Sequence, residues 1–432
     1  MIKIENPDRS SWQEVLKRPT QTYDQIEGTV LQIFEAIQAK GDAAVARYTK
    51  KFDGIDIPDL LVSYKEIQSA SADLAGDLKA AITFAKKNIE KFHEAQRTAP
   101  VRVETTEGVN CWQEKRPIQK VGLYIPGGTA PLFSTILMLA IPAKIAGCKE
   151  VVLCTPPDKQ GAINPAVLFT AQLCGIDKIY KVGGIQAIGA MTFGTETISK
   201  VYKIFGPGNQ FVTVAKQMAT KYNVSIDMPA GPSELLVVAD NSADASFVAS
   251  DLLSQAEHGT DSQVILVSTS NDLIISVEKE IEKQIERLPR KDIAEKAIAN
   301  SKLIFVENHK IALELIDEYG PEHFIVATEN NAFYVDNIAN AGSVFIGNYT
   351  PESAGDYASG TNHTLPTNGY AKQYSGVNLD SFMKSMTFQE VSPVGIQNIG
   401  QAIELMAEAE GLQAHKNAVT LRLNKLAKTN SQ

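Results

Sequence analysis

Cysteine and histidine are both scarce in this sequence. Among 432 residues there are four cysteines and six histidines. The cysteines lie in apolar or strand-like contexts, show no CxxC spacing and have no cluster of His, Lys or Arg beside them, so an activated thiolate is not indicated. We expect reduced, structural thiols of the kind found in cytoplasmic proteins. They are Cys111, Cys148, Cys154 and Cys174.

Long apolar runs and basic clusters are also missing. The longest apolar run, residues 132–145, is interrupted by Pro142 and Lys144 and is too short to span a bilayer. Residues 1–5 lack the apolar core of a signal peptide. The formal net charge is -9 and no basic stripe with interleaved aromatics occurs, which argues against a nucleic-acid partner. A hydrophobic content of 44% and a charged content of 21% are typical of a soluble globular protein, here expected in the cytoplasm.

The complete dinucleotide fingerprint G-x-G-x-x-G is absent as well. Glycine turns at residues 126–128, 183–184 and 206–209 each follow a predicted strand, where open α/β sheets bind ligands. Without the fingerprint they are better explained as plain strand-to-helix turns. The glycines alone therefore do not establish dinucleotide binding.

The pattern of elements predicts an α/β protein with two similar layers. Helical periodicity dominates the first hundred residues, and from residue 121 strands alternate with helices, which predicts parallel βαβ units. A long loop is expected at residues 355–369, and helices return from residue 392. The predicted domains are an N-terminal arm (1–22), a first α/β domain (23–120 and 233–373), an inserted α/β domain (121–232) and a small C-terminal domain (374–432).

Four of the six histidines fall in four short segments that also carry carboxylates or amides. Gln255 and His258 stand three residues apart near the end of a predicted helix, so both side chains are expected on one face. That pair alone favours a hydrogen-bonded polar cap. Together with Asp356, in a glycine-flanked loop, and His415, in the C-terminal helices, it makes a nitrogen and oxygen set that suits zinc.

A second chemical feature is the adjacent pair Glu322 and His323, between Pro321 and a predicted strand. A carboxylate and an imidazole there could share or divide a proton-transfer task, because the pKa of an imidazole is ordinarily close to neutrality. A turn in which the glutamate caps a neighbouring helix is the alternative. Taken with the metal-capable set, the pair indicates an enzyme built around a metal and an acid/base couple.

Read together and in order, these segments resemble the histidinol dehydrogenase family from about residue 25 to residue 420. The segments that carry the resemblance are residues 121–128, 206–209, 230–234, 254–259, 320–323, 353–363 and 410–415. The resemblance implies two similar, incomplete Rossmann-like parallel-sheet domains with small helical N- and C-terminal extensions. It also implies an NAD-linked, zinc-dependent oxidation of L-histidinol through L-histidinaldehyde to L-histidine.

The resemblance further implies roles for individual residues. Glu322 would activate water and His323 would act as the base. One zinc ion per subunit would be bound by Gln255, His258, Asp356 and His415, and it would hold the substrate. A homodimer with shared active sites is implied, in which Glu410 and His415 complete the site of the other subunit. The implied substrate contacts are Ser233, Gln255, His258, His323, Asp356, His363, Glu410 and His415, and the implied NAD contacts are Tyr124, Gln186 and Asn209.

Three other functions remain open at the level of sequence. A related enzyme could oxidise another amino alcohol, such as a sulfonated one, on the same scaffold. An aldehyde dehydrogenase could instead use one of the cysteines as a nucleophile. A catalytically silent metal-binding protein is the third possibility, although the intact Glu322 and His323 argue against it.

Overall fold

Parallel strands form the two central sheets of the computed structural model, which describes residues 1–19, 24–127, 131–229 and 231–429. Gly128 and Ala230, which belong to two of the segments used in the sequence comparison, lie outside the described residues. The strands are β1 (Ile2–Glu5), β2 (Val101–Thr106), β3 (Val109–Pro117), β4 (Lys120–Tyr124), β5 (Glu150–Thr155), β6 (Lys178–Lys181), β7 (Lys203–Phe205), β8 (Ser225–Ile226), β9 (Glu234–Ala239), β10 (Gln263–Ser268), β11 (Lys302–Phe305), β12 (His323–Ala327), β13 (Ser343–Ile346) and β14 (Met383–Val391).

Helices alternate with most of these strands. A π-helical turn at Ala354–Ala358 interrupts the predicted long loop. The helices are α1 (Trp12–Val15), α2 (Asp24–Asp53, kinked at Gly41), α3 (Tyr64–Asp73), α4 (Gly76–Ala95), α5 (Phe133–Ala146), α6 (Pro165–Leu173), α7 (Gly184–Phe193), α8 (Gln210–Thr220), α9 (Ala245–Ala256), α10 (Asn271–Ile285), α11 (Lys291–Ala299), α12 (His309–Tyr319), α13 (Asn331–Asn337), α14 (Pro393–Ala409) and α15 (Gln413–Thr429).

The two parallel sheets share one strand order. The first runs β6-β5-β4-β7-β8 and the second β11-β10-β9-β12-β13. Numbered within each half, both read 3-2-1-4-5, which is the Rossmann order without its sixth strand. The predicted fold class is therefore confirmed. Strand β1 adds to the second sheet by pairing with β11, so the prediction that the N-terminal residues are helical is wrong for Ile2–Glu5.

Each sheet is covered by helices on its faces, as parallel strands require. On the first sheet, α2, α7 and α8 contribute to a core that contains Phe34, Ile188 and Ile204. On the second, α9, α10 and α11 cover one face, and α1, α12 and α13 lie over the other. The near-continuous apolar sequence of β9 and β10 follows from burial on both faces. Among the described residues, no helix is both long and apolar enough to cross a membrane.

Residues 97–117 and 383–432 form a second compact unit, separate from the unit made by residues 1–96 and 118–382. Its antiparallel sheet has the order β14-β3-β2, and Trp112 stacks on Phe388 with the ring centroids 5.2 Å apart. Gly108 turns the β2–β3 hairpin with a φ of +78°. The sequence pattern predicts no strands at these residues. Val101 and Val103 alternate with polar residues as in a strand, but both side chains are exposed. This strand therefore lacks the apolar run that marks a core strand in a sequence.

A buried ion pair fixes the turn that follows β7. Gly206 adopts a φ of +129°, and a Cβ atom there would lie 2.0 Å from the carbonyl oxygen of Tyr124. The Gly206 amide donates to Asp227 Oδ2 at 2.8 Å, and its carbonyl accepts from Lys216 Nζ at 2.7 Å. Lys216 and Asp227 also form an ion pair of 2.5 Å in which both side chains are almost fully buried. The ion pair therefore satisfies both backbone polar groups of residue 206, a position whose conformation only glycine can adopt.

We predict that Lys216→Met destabilises the protein by about 3–5 kcal/mol, because it leaves the Asp227 carboxylate buried without its counter-charge. Urea unfolding at pH 7 measures this effect. The double variant Lys216→Met/Asp227→Asn should recover part of the loss, since no unpaired charge remains. Lys291→Met, which breaks exposed contacts with Glu286 and Glu295, should cost less than about 1 kcal/mol. Equal costs for Lys216→Met and Lys291→Met would contradict this account.

Candidate active site

The candidate site lies at the amino-terminal edge of the second sheet. The neighbouring parallel strands β9 and β12 begin there with Glu234 and His323, and His323 is paired with Leu235 in the strand register. Helix α9 follows β9 and runs back to the same edge, so its last turn carries Gln255 to the strand ends. His258 follows in a turn in which its amide donates to the Gln255 carbonyl at 3.2 Å. The topology thus brings two separate sequence segments to one edge.

His323 is buried at the centre of this cluster. Its Nδ1 atom lies 3.1 Å from the carbonyl oxygen of Glu234 and 3.3 Å from Gln255 Nε2. The amide nitrogen of Gln255 is itself a donor and also contacts the Glu234 carbonyl at 3.1 Å. In the neutral ring, Nδ1 is therefore the nitrogen that carries the proton and donates to the Glu234 carbonyl, and Nε2 carries the lone pair. Nε2 lacks a hydrogen-bond partner among the described residues and lies 3.8 Å from Asp356 Oδ1.

Three carboxylates surround this imidazole. Glu322 Oε2 lies 3.6 Å from His323 Nδ1, and Glu352 Oε1 lies 3.7 Å from the same atom. Burial lowers the pKa of His323, but Glu352 and Glu322 outweigh that effect and hold the pKa well above its usual value. Burial raises the pKa of Glu352 to about 8. Burial also acts to raise the pKa of Asp356, but His323, His363 and His258 outweigh it and lower that pKa.

A group of metal-capable side chains lies beside His323. One ligand atom each from His258, Glu352 and Asp356 lies within 4.8 Å of the other two. Gln255 Nε2 lies 3.3 Å from His323 Nδ1, and Glu352 Oε1 lies 3.7 Å from the same atom. Glu352 is buried and its Oε1 atom has no hydrogen-bond partner in the described part of the chain. Imidazole nitrogen and carboxylate oxygen are ligands that zinc accepts, so the donor set fits such an ion.

The loop that carries Asp356 is fixed to the first half of the same unit. His363 Nε2 lies 3.3 Å from Ser134 Oγ at the start of α5, and Asn362 donates to the Met138 carbonyl at 2.6 Å. Asn362 also contacts His93 Nε2 on α4, at 3.3 Å. Asn88 on α4 donates to the Ala358 carbonyl at 2.8 Å. The π-helical turn and His363 are therefore positioned by helices outside the second sheet.

A large cleft lies at the carboxyl edge of the first sheet, where ligands bind in open α/β folds. Its volume is about 1070 Å³, and Tyr124, Gln186 and Asn209 all line it. Tyr124 ends β4 and accepts a hydrogen bond from the Gly184 amide at 3.1 Å. Asn209 caps the amino end of α8 by accepting from the Val212 amide. The amino ends of α7 and α8 thus meet this cleft, an arrangement suited to phosphate groups.

The start of helix α5 lies between the cleft and His363. Pro131, just before this helix, lines the cleft, and Ser134, in its first turn, contacts His363. Only three positions separate these two residues. A ligand in the cleft and a ligand at His363 would therefore meet the same short stretch of chain.

Glu410 and His415 belong to the second unit. Glu410 follows α14, Gly411 turns the chain with a φ of +72°, and His415 lies in the first turn of α15. Both side chains are exposed. Ser233 directly precedes β9, and its carbonyl accepts from the Gln263 amide at 3.1 Å.

Three buried or part-buried residues of the cluster were not selected from the sequence. They are Arg18, Glu234 and Glu352. Glu234 closes the segment 230–234 and Glu352 immediately precedes the segment 353–363, so proximity to those segments was an available signal. Arg18 had none, because its contact with Glu234 spans 216 positions.

Three of the four cysteines are poorly suited to act as nucleophiles. Cys148, Cys154 and Cys174 are buried, and burial raises the pKa of Cys148 to about 11 and that of Cys174 to about 12. Such thiols are protonated at neutral pH and unreactive. This agrees with the sequence prediction for these three residues and disfavours a thiol-dependent aldehyde dehydrogenase.

Comparison with known proteins identifies the family. Residues 16–423 match the histidinol dehydrogenase family. The histidinol dehydrogenase of Bacteroides thetaiotaomicron is 59% identical over 426 residues, which cover 99% of this chain and 100% of the relative. That of Haemophilus influenzae is 53% identical over 414 residues and 96% of each chain. The crystal structure of histidinol dehydrogenase from Elizabethkingia anophelis superposes with a TM-score of 0.97 at 57% identity and covers 99% of both chains. The chain belongs to the histidinol dehydrogenase family and is an oxidoreductase.

Proposed function

We propose that this protein oxidises L-histidinol to L-histidine through L-histidinaldehyde, reducing two NAD per turnover, as the last steps of histidine biosynthesis. The observation that carries the proposal is the convergence of Gln255, His258 and Asp356 with Glu322 and His323 at one sheet edge. Metal-capable groups beside a buried acid/base couple suit the oxidation of an alcohol that also bears metal-binding nitrogens. Membership of the family supports the choice of substrate.

In the proposed site, Gln255, His258, Asp356 and His415 would hold one zinc ion per subunit. Bound there, zinc would hold the imidazole and amino nitrogens of histidinol and offset the carboxylate charge that raises the pKa of His323. Ser233, His363 and Glu410 are further proposed substrate contacts. In the cleft, NAD would accept a hydride in each half-reaction, and Tyr124, Gln186 and Asn209 would bind it.

The residues of the chain divide the proton transfers between them. In its neutral form, His323 accepts the alcohol proton of histidinol at Nε2 as the carbon loses its hydride to NAD. The aldehyde is then hydrated, because a second hydride can leave only from a tetrahedral carbon that carries an oxygen donor. Glu322 removes a proton from the attacking water as protonated His323 returns its proton to the aldehyde oxygen, so the gem-diol forms and His323 is neutral again. His323 then deprotonates the gem-diol as the second hydride leaves for NAD. Each such proton transfer is typically worth about 10²- to 10⁴-fold in rate.

We further propose a homodimer in which Glu410 and His415 complete the site of the other subunit. The second unit exposes large apolar side chains, among them Leu405, Met406 and Leu421, each at least 60% exposed. Apolar exposure of this extent is a feature of interaction surfaces. The free thiols of all four cysteines support a cytoplasmic location.

The proposed function predicts two NADH for each histidine formed from histidinol when zinc is supplied. Absorbance of NADH and chromatographic quantification of histidine measure the ratio. A ratio of one, or no NADH at all, would refute the proposal. A profile of other amino alcohols, including sulfonated ones, tests the imidazole preference, and a better substrate without an imidazole would transfer the assignment to that compound.

Glu322→Gln should slow aldehyde oxidation by roughly 10²-fold while slowing alcohol oxidation less, because only the second step needs an activated water. His323→Asn should stop both steps. Rapid-mixing measurements of NADH from histidinol and from histidinaldehyde separate the two half-reactions. Glu329→Gln, an exposed glutamate beyond the other end of β12, is the matched control and should leave both rates unchanged. Equal damage to both steps by Glu322→Gln would count against the water-activating role.

His258→Asn should weaken zinc binding by at least about tenfold, since it removes one imidazole ligand. Competition with a chromogenic chelator measures the affinity without reference to turnover. The matched control is His309→Asn on α12, whose Nδ1 atom contacts the Tyr334 hydroxyl at 2.9 Å. Unchanged zinc affinity in His258→Asn would remove this residue from the ligand set.

A further inference from the structure

Glu234 contacts three members of the candidate site through its backbone. Its amide donates to Glu322 Oε2 at 2.9 Å. Its carbonyl lies 3.1 Å from both His323 Nδ1 and Gln255 Nε2. One peptide position therefore orients the carboxylate, the imidazole and the amide. A small shift at the start of β9 would move all three together.

The Glu234 side chain is anchored by an ion pair. It is 1% exposed, and Arg18 Nε and Nη2 donate to its two carboxylate oxygens at 2.5 and 2.9 Å. The Asn368 amide also donates to Glu234 Oε1, at 2.7 Å. This two-pronged geometry constrains both the position and the rotation of the carboxylate.

Arg18 is held in turn by the groups around it. Its guanidinium lies 3.9 Å from the ring centroid of Tyr319, and Nη2 donates to the Tyr319 carbonyl at 2.9 Å. The carbonyl of the preceding residue, Lys17, accepts from Gln263 Nε2 and Lys302 Nζ, each at 3.1 Å. The anchor for β9 therefore comes from the N-terminal segment.

A buried ion pair of this kind is poorly explained by stability alone. Removing two charges from water costs free energy that their attraction often does not fully return, and apolar replacements are frequently as stable. A bidentate contact does, however, specify geometry. Because the Glu234 backbone contacts Glu322 and His323, fixing the Glu234 side chain also fixes the relative position of those two residues.

We propose that Arg18 and Glu234 are positioning residues, which hold the start of β9 so that the Glu234 peptide fixes the proton of His323 on Nδ1 and the Glu322 carboxylate beside it. Neither side chain needs to touch the substrate. Their contribution is to keep the proton of the neutral His323 ring on Nδ1, which makes Nε2 the nitrogen that can accept a proton. The expected loss of kcat rests on the proposed function, whereas the expected tautomer of His323 does not.

The kinetic experiment compares Glu234→Gln, Arg18→Met and Arg18→Lys in the full-length enzyme. Glu234→Gln and Arg18→Met should each lower kcat by at least about tenfold while leaving the KM for NAD within about twofold, because the cleft is untouched. Arg18→Lys, which keeps the charge but loses the fork, should recover only part of kcat. The double variant Arg18→Met/Glu234→Gln should be no slower than the worse single variant, since the two residues act as one unit.

The matched control is Arg9→Met. Arg9 lies in the same N-terminal segment as Arg18 and pairs with Glu314, but the Arg9 side chain is 72% exposed. It should leave kcat unchanged. Near-full kcat in folded Glu234→Gln and Arg18→Met would overturn the proposal, and so would a loss of kcat that merely follows the fraction of folded protein measured by circular dichroism.

A second measurement does not depend on turnover. Nitrogen chemical shifts of the ¹⁵N-labelled His323 ring, assigned by their loss in His323→Asn and recorded where the ring is neutral, report which nitrogen carries the proton. Nδ1–H is expected in the unaltered protein and a mixture in Glu234→Gln. Nε2–H in the unaltered protein would overturn the proposal. If Nδ1–H is found but histidinol is not oxidised, the proposed function fails and the positioning role stands.

Discussion

The parallel pairing of β9 with β12 is the constraint on which the candidate site depends. Because His323 is in register with Leu235, the residues just before them, Glu322 and Glu234, come to the same level at the sheet edge. At that edge the Glu234 amide donates to the Glu322 side chain, and the Glu234 carbonyl lies beside the His323 ring. A slip of one residue would turn His323 to the opposite face of the sheet.

The concentration of charge at this edge needs compensation. Four carboxylates, those of Glu234, Glu322, Glu352 and Asp356, lie in or beside the cluster. Arg18 neutralises the first, while the other three surround His323. Such an excess of buried negative charge is unfavourable in isolation and favours a bound cation. The electrostatics and the proposed zinc site are therefore consistent.

Much of this arrangement could be predicted from sequence, for identifiable reasons. Apolar runs and glycine turns indicated the β-α alternation, and most predicted elements from residue 121 onwards lie within a few residues of those observed. The sheet of β2, β3 and β14 was not predicted because its strands bury few side chains. Gln255, His258, Glu322, His323 and Asp356 stood out because they fall in unusual short segments. Arg18 and Glu234 did not, because long-range ion pairs leave no local pattern.

The shared strand order of the two sheets gives each of them an amino edge and a carboxyl edge with the same arrangement of strands. In this protein the cleft opens at the carboxyl edge of one sheet, and the Glu322 and His323 pair lies at the amino edge of the other. A substitution in the lining of the cleft therefore need not disturb the strands that carry Glu322 and His323.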